Sequence, residues 1–288
     1  MEAAVRRELF PTDCGVLFLQ CAARSDGGRN LSNTGSFFYA VWREKAMLKI
    51  LKELILRERF CPGPAGIFLN HFYFSRHGIA RMMEKLAPEL EGRILDVGCG
   101  TRPYEKLFTA CTGYVGVEID TPAARQAGNA DYFYDGQTLP FDSETFDGVV
   151  LNEVLEHVFN PEELLTELRR VLRPGGRIIL TVPFAWIEHE KPFDYARYTS
   201  FGLKALLERN GFAVLRQEKI GTGITALFQL KNAYWDCVIP FRPLWLRYVL
   251  ILTLGTWNNL CGLLLSKLLP DQSDFYLDQV VLGKRLEK

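Results

Sequence analysis

Charge of one sign is missing from this chain: 34 Lys and Arg stand against 34 Asp and Glu, a formal net charge of +0 at pH 7. A phosphate backbone is held by clustered Lys and Arg, and no such stripe is visible, so a nucleic acid is not the expected partner. Paired cysteines are missing too. The seven cysteines are odd in number and none falls in a CxxC spacing, which fits a reducing compartment, the cytosol. An unbroken apolar run of about 20 residues, the length of a spanning helix, is absent. Residues 248 to 266 come nearest, and Asn258 and Asn259 interrupt them. A secretory leader is not expected, because the apolar run Gly15 to Ala23 is short and Glu8 and Asp13 precede it. Residues 1–35 therefore read as a flexible or artefactual extension. What is present, 48% hydrophobic content over 288 residues, suffices for one substantial core with appended elements.

Residues 94 to 100, Ile-Leu-Asp-Val-Gly-Cys-Gly, are the most informative stretch. They describe a short buried strand that carries one carboxylate, Asp96, into a glycine turn. Gly98 and Gly100 have no Cβ, so the backbone can take positive φ and lie close to a ligand. A second buried strand, Tyr-Val-Gly-Val-Glu-Ile-Asp at 114 to 120, ends in Glu118. That is about 20 residues after the turn, where a carboxylate can accept hydrogen bonds from both ribose hydroxyls of a nucleoside. Asp135 follows a short third strand and is suited to an adenine amino group. Phe-Asp-Gly-Val-Val-Leu (146 to 151) gives a fourth strand, and Arg-Pro-Gly-Gly-Arg-Ile-Ile-Leu-Thr-Val-Pro (173 to 183) a turn and a fifth. The Gly-x-Gly-x-x-Gly fingerprint is incomplete, which disfavours a phosphate-binding dinucleotide site.

Leu-Asp-Val-Gly-Cys-Gly, Leu-Pro-Phe, Phe-Asp, Leu-Glu-His-Val and Leu-Arg-Pro-Gly-Gly occur in that order. Together they resemble the class I S-adenosylmethionine (SAM)-dependent methyltransferases, specifically the type 11 group, across residues 72 to 220. The resemblance implies an α/β, Rossmann-like seven-stranded sheet of six parallel strands and an antiparallel last one. Helices would precede it (36–71), the SAM-binding core would cover 72–222, an apolar helical insertion 223–270, and the last strand 271–288. It implies SAM as cofactor, held by Asp96, Gly98, Cys99, Gly100, Glu118, Asp135 and Asn152, with Cys99 a small turn residue rather than a nucleophile. One position departs from the pattern: Arg102, followed by Pro103, stands where the third small residue of the turn belongs. It reads either as a contact for the cofactor carboxylate or as a solvent-facing arginine at a helix start.

Methyl transfer from a sulfonium is an in-line displacement, so positioning comes first and a base is needed only if the acceptor must lose a proton. Two loops offer candidates. Glu153, Glu156 and His157 follow the fourth strand at i, i+3 and i+4, one face of a helix. Such a set could bind a divalent cation, as the same Glu-x-x-Glu-His does in metal-using relatives, ubiquinone-pathway O-methyltransferases and small-RNA 2′-O-methyltransferases. Leu-Glu-His-Val is also widespread in type 11 proteins that need no metal, and there His157 is a catalytic or substrate-contacting residue or is purely structural. The second loop runs from Val182 to Thr199. His189, the first choice of base, and Asp194 would take the acceptor's proton, Arg197 would hold a substrate anion, and Trp186 and Tyr195 would stack on a ring. The alternative makes Asp194 and Arg197 an internal salt bridge that pins the loop. Thr199 is the expected N-cap of a helix over 200–210.

Apolar residues at helical spacing predict an amphipathic helix from Phe37 to Phe60, ended by Cys-Pro-Gly-Pro-Ala-Gly; the resemblance to the methyltransferases implies that it lids the active site. A second helix runs from Ser75 to Leu86. The apolar insertion lies between a sixth strand, Ala213 to Ile220, and the last, Tyr276 to Gly283. Because strands six and seven pair antiparallel in this fold, the chain must return to the side it left, and a helical hairpin broken near the asparagines is expected. Edged by Trp235, Trp245, Trp257, Arg242, Arg247 and Lys267, it would sit in a membrane interface or serve as substrate lid or dimer surface. The expected function is O-methylation of a small-molecule, glycan or lipid-linked acceptor, in the cytoplasm or peripherally on the inner face of the membrane. The alternatives are an RNA ribose 2′-O-methyltransferase with a Glu-x-x-Glu-His metal site and a non-catalytic SAM-fold partner subunit.

Overall fold

The computed structural model describes residues 54–240 and 242–287. The chain divides into two compact units, Met1–Glu58 and Arg59–Lys288. Of the first, residues 54–58 are helical, while the expected extension over 1–35 and most of the expected helix from Phe37 lie outside the described residues.

The second unit is organised around seven strands: β1 Gly92–Val97, β2 Cys111–Ile119, β3 Tyr132–Tyr134, β4 Phe146–Asn152, β5 Leu172–Pro183, β6 Phe212–Ile220 and β7 Asp278–Arg285. Their order is β3-β2-β1-β4-β5-β7-β6. The first five pair parallel, and β7 is inserted antiparallel between β5 and β6. This is the expected topology of a Rossmann-like sheet with its last strand reversed. Parallel strands need cover on both faces, and Ile94, Leu95 and Val97 of β1 and Val149, Val150 and Leu151 of β4 are accordingly buried without alternation.

The helices are α1 Gly66–Leu69, α2 Tyr73–Leu86, α3 Pro122–Ala127, α4 Pro161–Val171, α5 Ser200–Arg209, α6 Ile224–Val238 and α7 Leu244–Leu268. One face of the sheet packs Leu164, Leu165 and Leu168 of α4 and Leu203 and Leu207 of α5 against Leu95, Val149 and Leu180. The other packs Ile79, Met83 and Leu86 of α2 against Ile94, Val150 and Ile179. Thr199 caps α5 as expected, its hydroxyl accepting from the Gly202 N–H at 3.0 Å. From β1 the sheet extends to β2 on one side and β4 on the other, and the crevice at the carboxyl ends of these strands is where α/β folds bind ligands.

The apolar insertion forms a hairpin, but its break differs from expectation. Residues 239–243 separate α6 from α7, and α7 continues through Asn258 and Asn259 without interruption. Both asparagines turn inward. Asn258 donates to Asn232 Oδ1 at 2.7 Å, and Asn259 donates to the carbonyls of Ile67 and Asn70 at 2.9 and 3.0 Å. Asn232 donates to Asn259 Oδ1 at 3.1 Å and to the His71 carbonyl at 2.8 Å. With these partners the polar groups no longer oppose helix continuation. Gly255 and Gly262 let α7 approach closely: a Cβ on them would stand 2.8 Å from His71 Cβ and 2.6 Å from Phe74 Cζ.

Candidate functional site

The glycine turn sits where β1 ends beside β2 and β4, with Asp96 in register with Gly116 and Val150. Gly98 and Gly100 both have positive φ, +69° and +49°. Around Gly98 the packing is tight, since a Cβ there would lie 2.5 Å from Val154 Cγ2. Around Gly100 the corresponding direction is open, with nothing within 4 Å among the described residues. The Gly100 N–H donates to Glu118 Oε2 at 3.1 Å, so the end of β2 is tied directly to the turn. Asp96 accepts from the Tyr114 hydroxyl at 2.7 Å, and burial raises its carboxyl to about 7 although that hydrogen bond opposes the shift. Burial pushes the Cys99 thiol up to about 12, which removes it as a nucleophile. Asp135 is exposed at the end of β3, and its Oδ1 accepts from the N–H groups of Gln137 and Thr138 at 2.8 and 2.9 Å. Asn152 closes β4 and accepts from the Thr181 hydroxyl at 2.9 Å.

Arg102 is neither solvent-facing nor at the start of an α-helix. It takes φ +52°, and its guanidinium folds back over Gly116 to pair with Asp131 at 2.6 Å. A side chain on residue 116 would collide with it at 2.8 Å, so the second β-strand accommodates the arginine by being glycine there.

The second half of the site adjoins the first through Val154, which packs on Gly98. Glu153 leaves β4 at φ +53° and residues 155–157 form a single 3-10 turn. The expected α-helical face for Glu153, Glu156 and His157 is therefore corrected: a left-handed residue and a short turn hold them. Instead of Glu153, His189 from the second loop joins Glu156 and His157. One ligand atom from each of the three lies within 4.8 Å of the others, and the imidazole centroids are 4.7 Å apart. His157 Nδ1 lies 2.8 Å from the Phe193 carbonyl, which accepts and so assigns the proton to Nδ1. His189 Nδ1 faces Asp194 Oδ2 at 3.3 Å. Each ring thereby turns Nε2 toward Glu156 Oε1, at 3.7 Å for His157 and 4.0 Å for His189.

Glu156 is fully buried, and neither carboxyl oxygen has a hydrogen-bond partner among the described residues. Burial, reinforced by Glu153, holds its carboxyl well above the usual carboxylate range. Glu153 is pushed up by burial and by Asp278, and Asp278 by burial, although the Ser75 hydroxyl donates to it at 2.8 Å. For His189, burial and then neighbouring His157 lower the imidazole below its ordinary value, so it is neutral at pH 7.

Asp194 and Arg197 form the internal salt bridge, with two contacts of 2.5 and 2.6 Å. Arg197 also donates to the carbonyls of Ala196 and Ile187, at 2.9 and 3.1 Å. This fork leaves Arg197 committed to the loop rather than to a substrate anion. Asp194 is held down to about 2 despite burial, by Arg197 and by the His189 N–H, so as a base it is too weak and its oxygens orient His189 instead. Trp186 packs edge-on against Phe72, centroids 5.3 Å apart, and Tyr195 edge-on against Phe159, also 5.3 Å, with the tyrosine ring exposed.

A family described as a methyltransferase domain matches residues 69–217. The chain belongs to the SAM-dependent methyltransferases. An O-methyltransferase of Aspergillus nomiae is 30% identical to this methyltransferase over 170 residues, 50% of this chain and 76% of the fungal one. An uncharacterised protein of Methanocaldococcus jannaschii is 37% identical over 95 residues, and a demethylmenaquinone methyltransferase of Clavibacter sepedonicus 34% over 104. These two alignments take in 32% and 33% of this chain and only 45% and 42% of the relatives. Among solved structures, phosphoethanolamine N-methyltransferase 2 of Haemonchus contortus, in complex with S-adenosyl-L-methionine, has TM-score 0.47 and 14% identity over 80% of this chain and 59% of that one.

The glycine turn of this methyltransferase fits SAM on its own geometry. Gly100 offers an open cradle that a Cβ would fill, Asp96 and Glu118 bring acceptor oxygens to its rim, and Arg102 is drawn aside to Asp131. Sequence reasoning missed Asp278, Asp131 and the pairing of His189 with Glu156. An acidic residue inside the apolar final strand was the signal available for Asp278. For the other two, no local spacing carries one.

Proposed function

We propose that this chain O-methylates a small-molecule, glycan or lipid-linked acceptor using SAM. The observation that carries the reading is the convergence of two imidazole Nε2 atoms on one site, in the loop that packs against the glycine turn. Bound SAM supplies an electrophilic methyl group on a sulfonium. Gly98, Gly100, Asp96 and Glu118 orient it, with Asp135 and Asn152 along the same strand ends. His189, neutral at pH 7, would take the acceptor hydroxyl's proton at Nε2 as the methyl group passes from sulfur to the acceptor oxygen. Asp194 accepts from the His189 backbone N–H with its Oδ2 3.3 Å from the opposite ring nitrogen, and the Arg197 fork holds Asp194. Trp186 and Tyr195 flank the loop as apolar contacts for the acceptor.

The test is transfer of labelled methyl from SAM to a host-cell extract, followed by partition between organic and aqueous phases. Label in the organic phase supports a lipid-linked acceptor, and label in the aqueous phase a soluble one. No label in either overturns the reading.

One observation favours a second use of the same atoms. Two Nε2 lone pairs and a buried carboxyl with no hydrogen-bond partner among the described residues, the His157 ring fixed from behind by the Phe193 carbonyl and His189 Nδ1 standing 3.3 Å from Asp194 Oδ2, make a ligand set for a divalent cation. A cation there would bind the acceptor oxygen and assist its ionisation. Calorimetric titration of the protein with magnesium, manganese and zinc tests it, and absence of binding for all three, with activity indifferent to chelator, removes it.

A further inference from the structure

The α6–α7 hairpin is amphipathic in the reverse of the usual sense. On α7 the buried residues, Arg247, Ile251, Gly255, Asn258, Asn259 and Gly262, repeat at helical spacing on one side. The polar members of that side are satisfied within the protein: Arg247 donates to the Ile239 carbonyl and to Asp236 Oδ1 at 2.7 Å, alongside the asparagine network. The opposite side is apolar and open. Trp245, Trp257, Leu260 and Leu264 of α7 and Leu227 and Tyr234 of α6 are exposed, Trp257 at 66% and Leu264 at 60%. Surface helices of soluble proteins turn their apolar stripe inward, so this inversion requires an apolar environment outside.

Three features identify that environment. The serine and threonine hydroxyls on or beside the open face of α7 are occupied by backbone carbonyls: Thr253 donates to Val249 O at 2.7 Å, Thr256 to Phe68 O at 3.3 Å and Ser266 to Leu263 O at 2.9 Å. They need no outside partner, as hydrocarbon requires and as a polar protein interface does not. The face has cationic edges on a chain that is neutral overall. Residues 224–269 hold Lys231, Arg242, Arg247 and Lys267 against the single acid Asp236, and Arg247 is paired with that acid, leaving three cations for anionic headgroups. Finally, α7 is 25 residues long, about 37 Å, yet it cannot cross a bilayer. Its inner side is anchored on Phe74 and His71, and the chain returns to β7 in the same sheet as β6.

We infer that the outer face of the α6–α7 hairpin docks this protein onto the interface of an anionic lipid membrane, lying parallel to the surface with Trp245, Trp257, Leu260 and Leu264 in the acyl boundary. The inference goes beyond the proposed reaction and does not depend on it.

Flotation of the full chain with vesicles of phosphatidylcholine, with and without phosphatidylglycerol, tests it directly. The expected result is flotation with the anionic vesicles and weaker flotation with the neutral ones. The double variant Trp257→Glu, Leu264→Glu, at exposed positions, should bind about tenfold less with an unchanged melting temperature. Arg242→Glu with Lys267→Glu should lose the anionic preference. A wild-type protein wholly in the soluble fraction with both vesicles overturns the inference. If light scattering then gives a dimer that the double variant turns to monomer, the occupant is a second copy. If it gives a monomer, the face is covered by another part of this chain. Because flotation reads no methyl transfer, absence of activity in the extract leaves this result unaffected.

Discussion

Replacing Gly100 by alanine separates ligand binding from folding at the glycine turn. The residue has φ +49°, and an added Cβ would meet nothing within 4 Å. The left-handed conformation costs alanine about 1 kcal/mol, so Gly100→Ala should melt about 2 to 4 °C below wild type. Gly98→Ala differs: besides φ +69°, its Cβ would stand 2.5 Å from Val154 Cγ2. Overpacking adds about 1 to 3 kcal/mol to the backbone strain there. If the open space at Gly100 is where SAM approaches the backbone, Gly100→Ala should weaken SAM at least about tenfold, or 1.4 kcal/mol. Isothermal titration with SAM and with S-adenosylhomocysteine, beside thermal unfolding without ligand, measures both effects. A Gly100→Ala protein that binds both ligands as tightly as wild type would refute the assignment of the cofactor to this turn.

His189→Ala should lower turnover by about 10² to 10⁴. Because its pKa is lowered by burial, wild-type turnover should fall only below the ordinary histidine range near 6.5; full activity of His189→Ala beside an inactive His157→Ala reverses that ranking. The Asp96 carboxyl, raised to about 7 from 3.8, keeps in the folded state a proton that the unfolded chain releases. Stability from this group is therefore greatest below pH 3.8, declines as pH rises toward about 7 and is level above it. Asp96→Asn should flatten that decline, by about 4 kcal/mol at most, in ligand-free melts across the same range. Arg197→Ala should cost about 3 kcal/mol, because it leaves buried Asp194 unpaired, and Arg197→Lys should recover little, since lysine cannot reproduce the fork. Asn259→Leu should destabilise by about 2 to 3 kcal/mol despite its apolar gain, because two carbonyls and Asn232 lose their partner; denaturant unfolding checks both.

The parts of the fold that follow from local spacing were readable in the sequence. The glycine turn, Glu118 at the end of β2 and the Thr199 cap rest on residues close in the chain or on a fixed interval between motifs, while the mixed sheet with its reversed last strand was implied by the resemblance to the methyltransferases. What escaped depends on contacts between distant segments. His189 meets Glu156 because two loops at neighbouring strand ends fold toward each other, and no interval along the chain encodes that distance. Arg102 reaches Asp131 only because position 116 has no side chain. The asparagine pair looked like a helix break because polar groups in an apolar run need partners, and those partners, Asn232, Ile67 and Asn70, lie on other elements. Arg197 and Asp194 left two readings open at a spacing of three residues, and geometry chose the ion pair.

The seventh strand along the chain occupies an interior place in the sheet, between β5 and β6. As the chain emerges from the ribosome, the first five strands can pair in turn, but β6 waits without a neighbour until the entire α6–α7 hairpin has followed it. During that interval the nascent protein carries an open strand edge together with an uncovered apolar helix pair, the two features that invite association with other chains. Closure then comes in one event, when Asp278–Arg285 slots in and fastens both sides at once. A lesion in these few residues would thus not trim the molecule at its margin. It would leave a gap through the middle of the sheet and free the hairpin's second anchor.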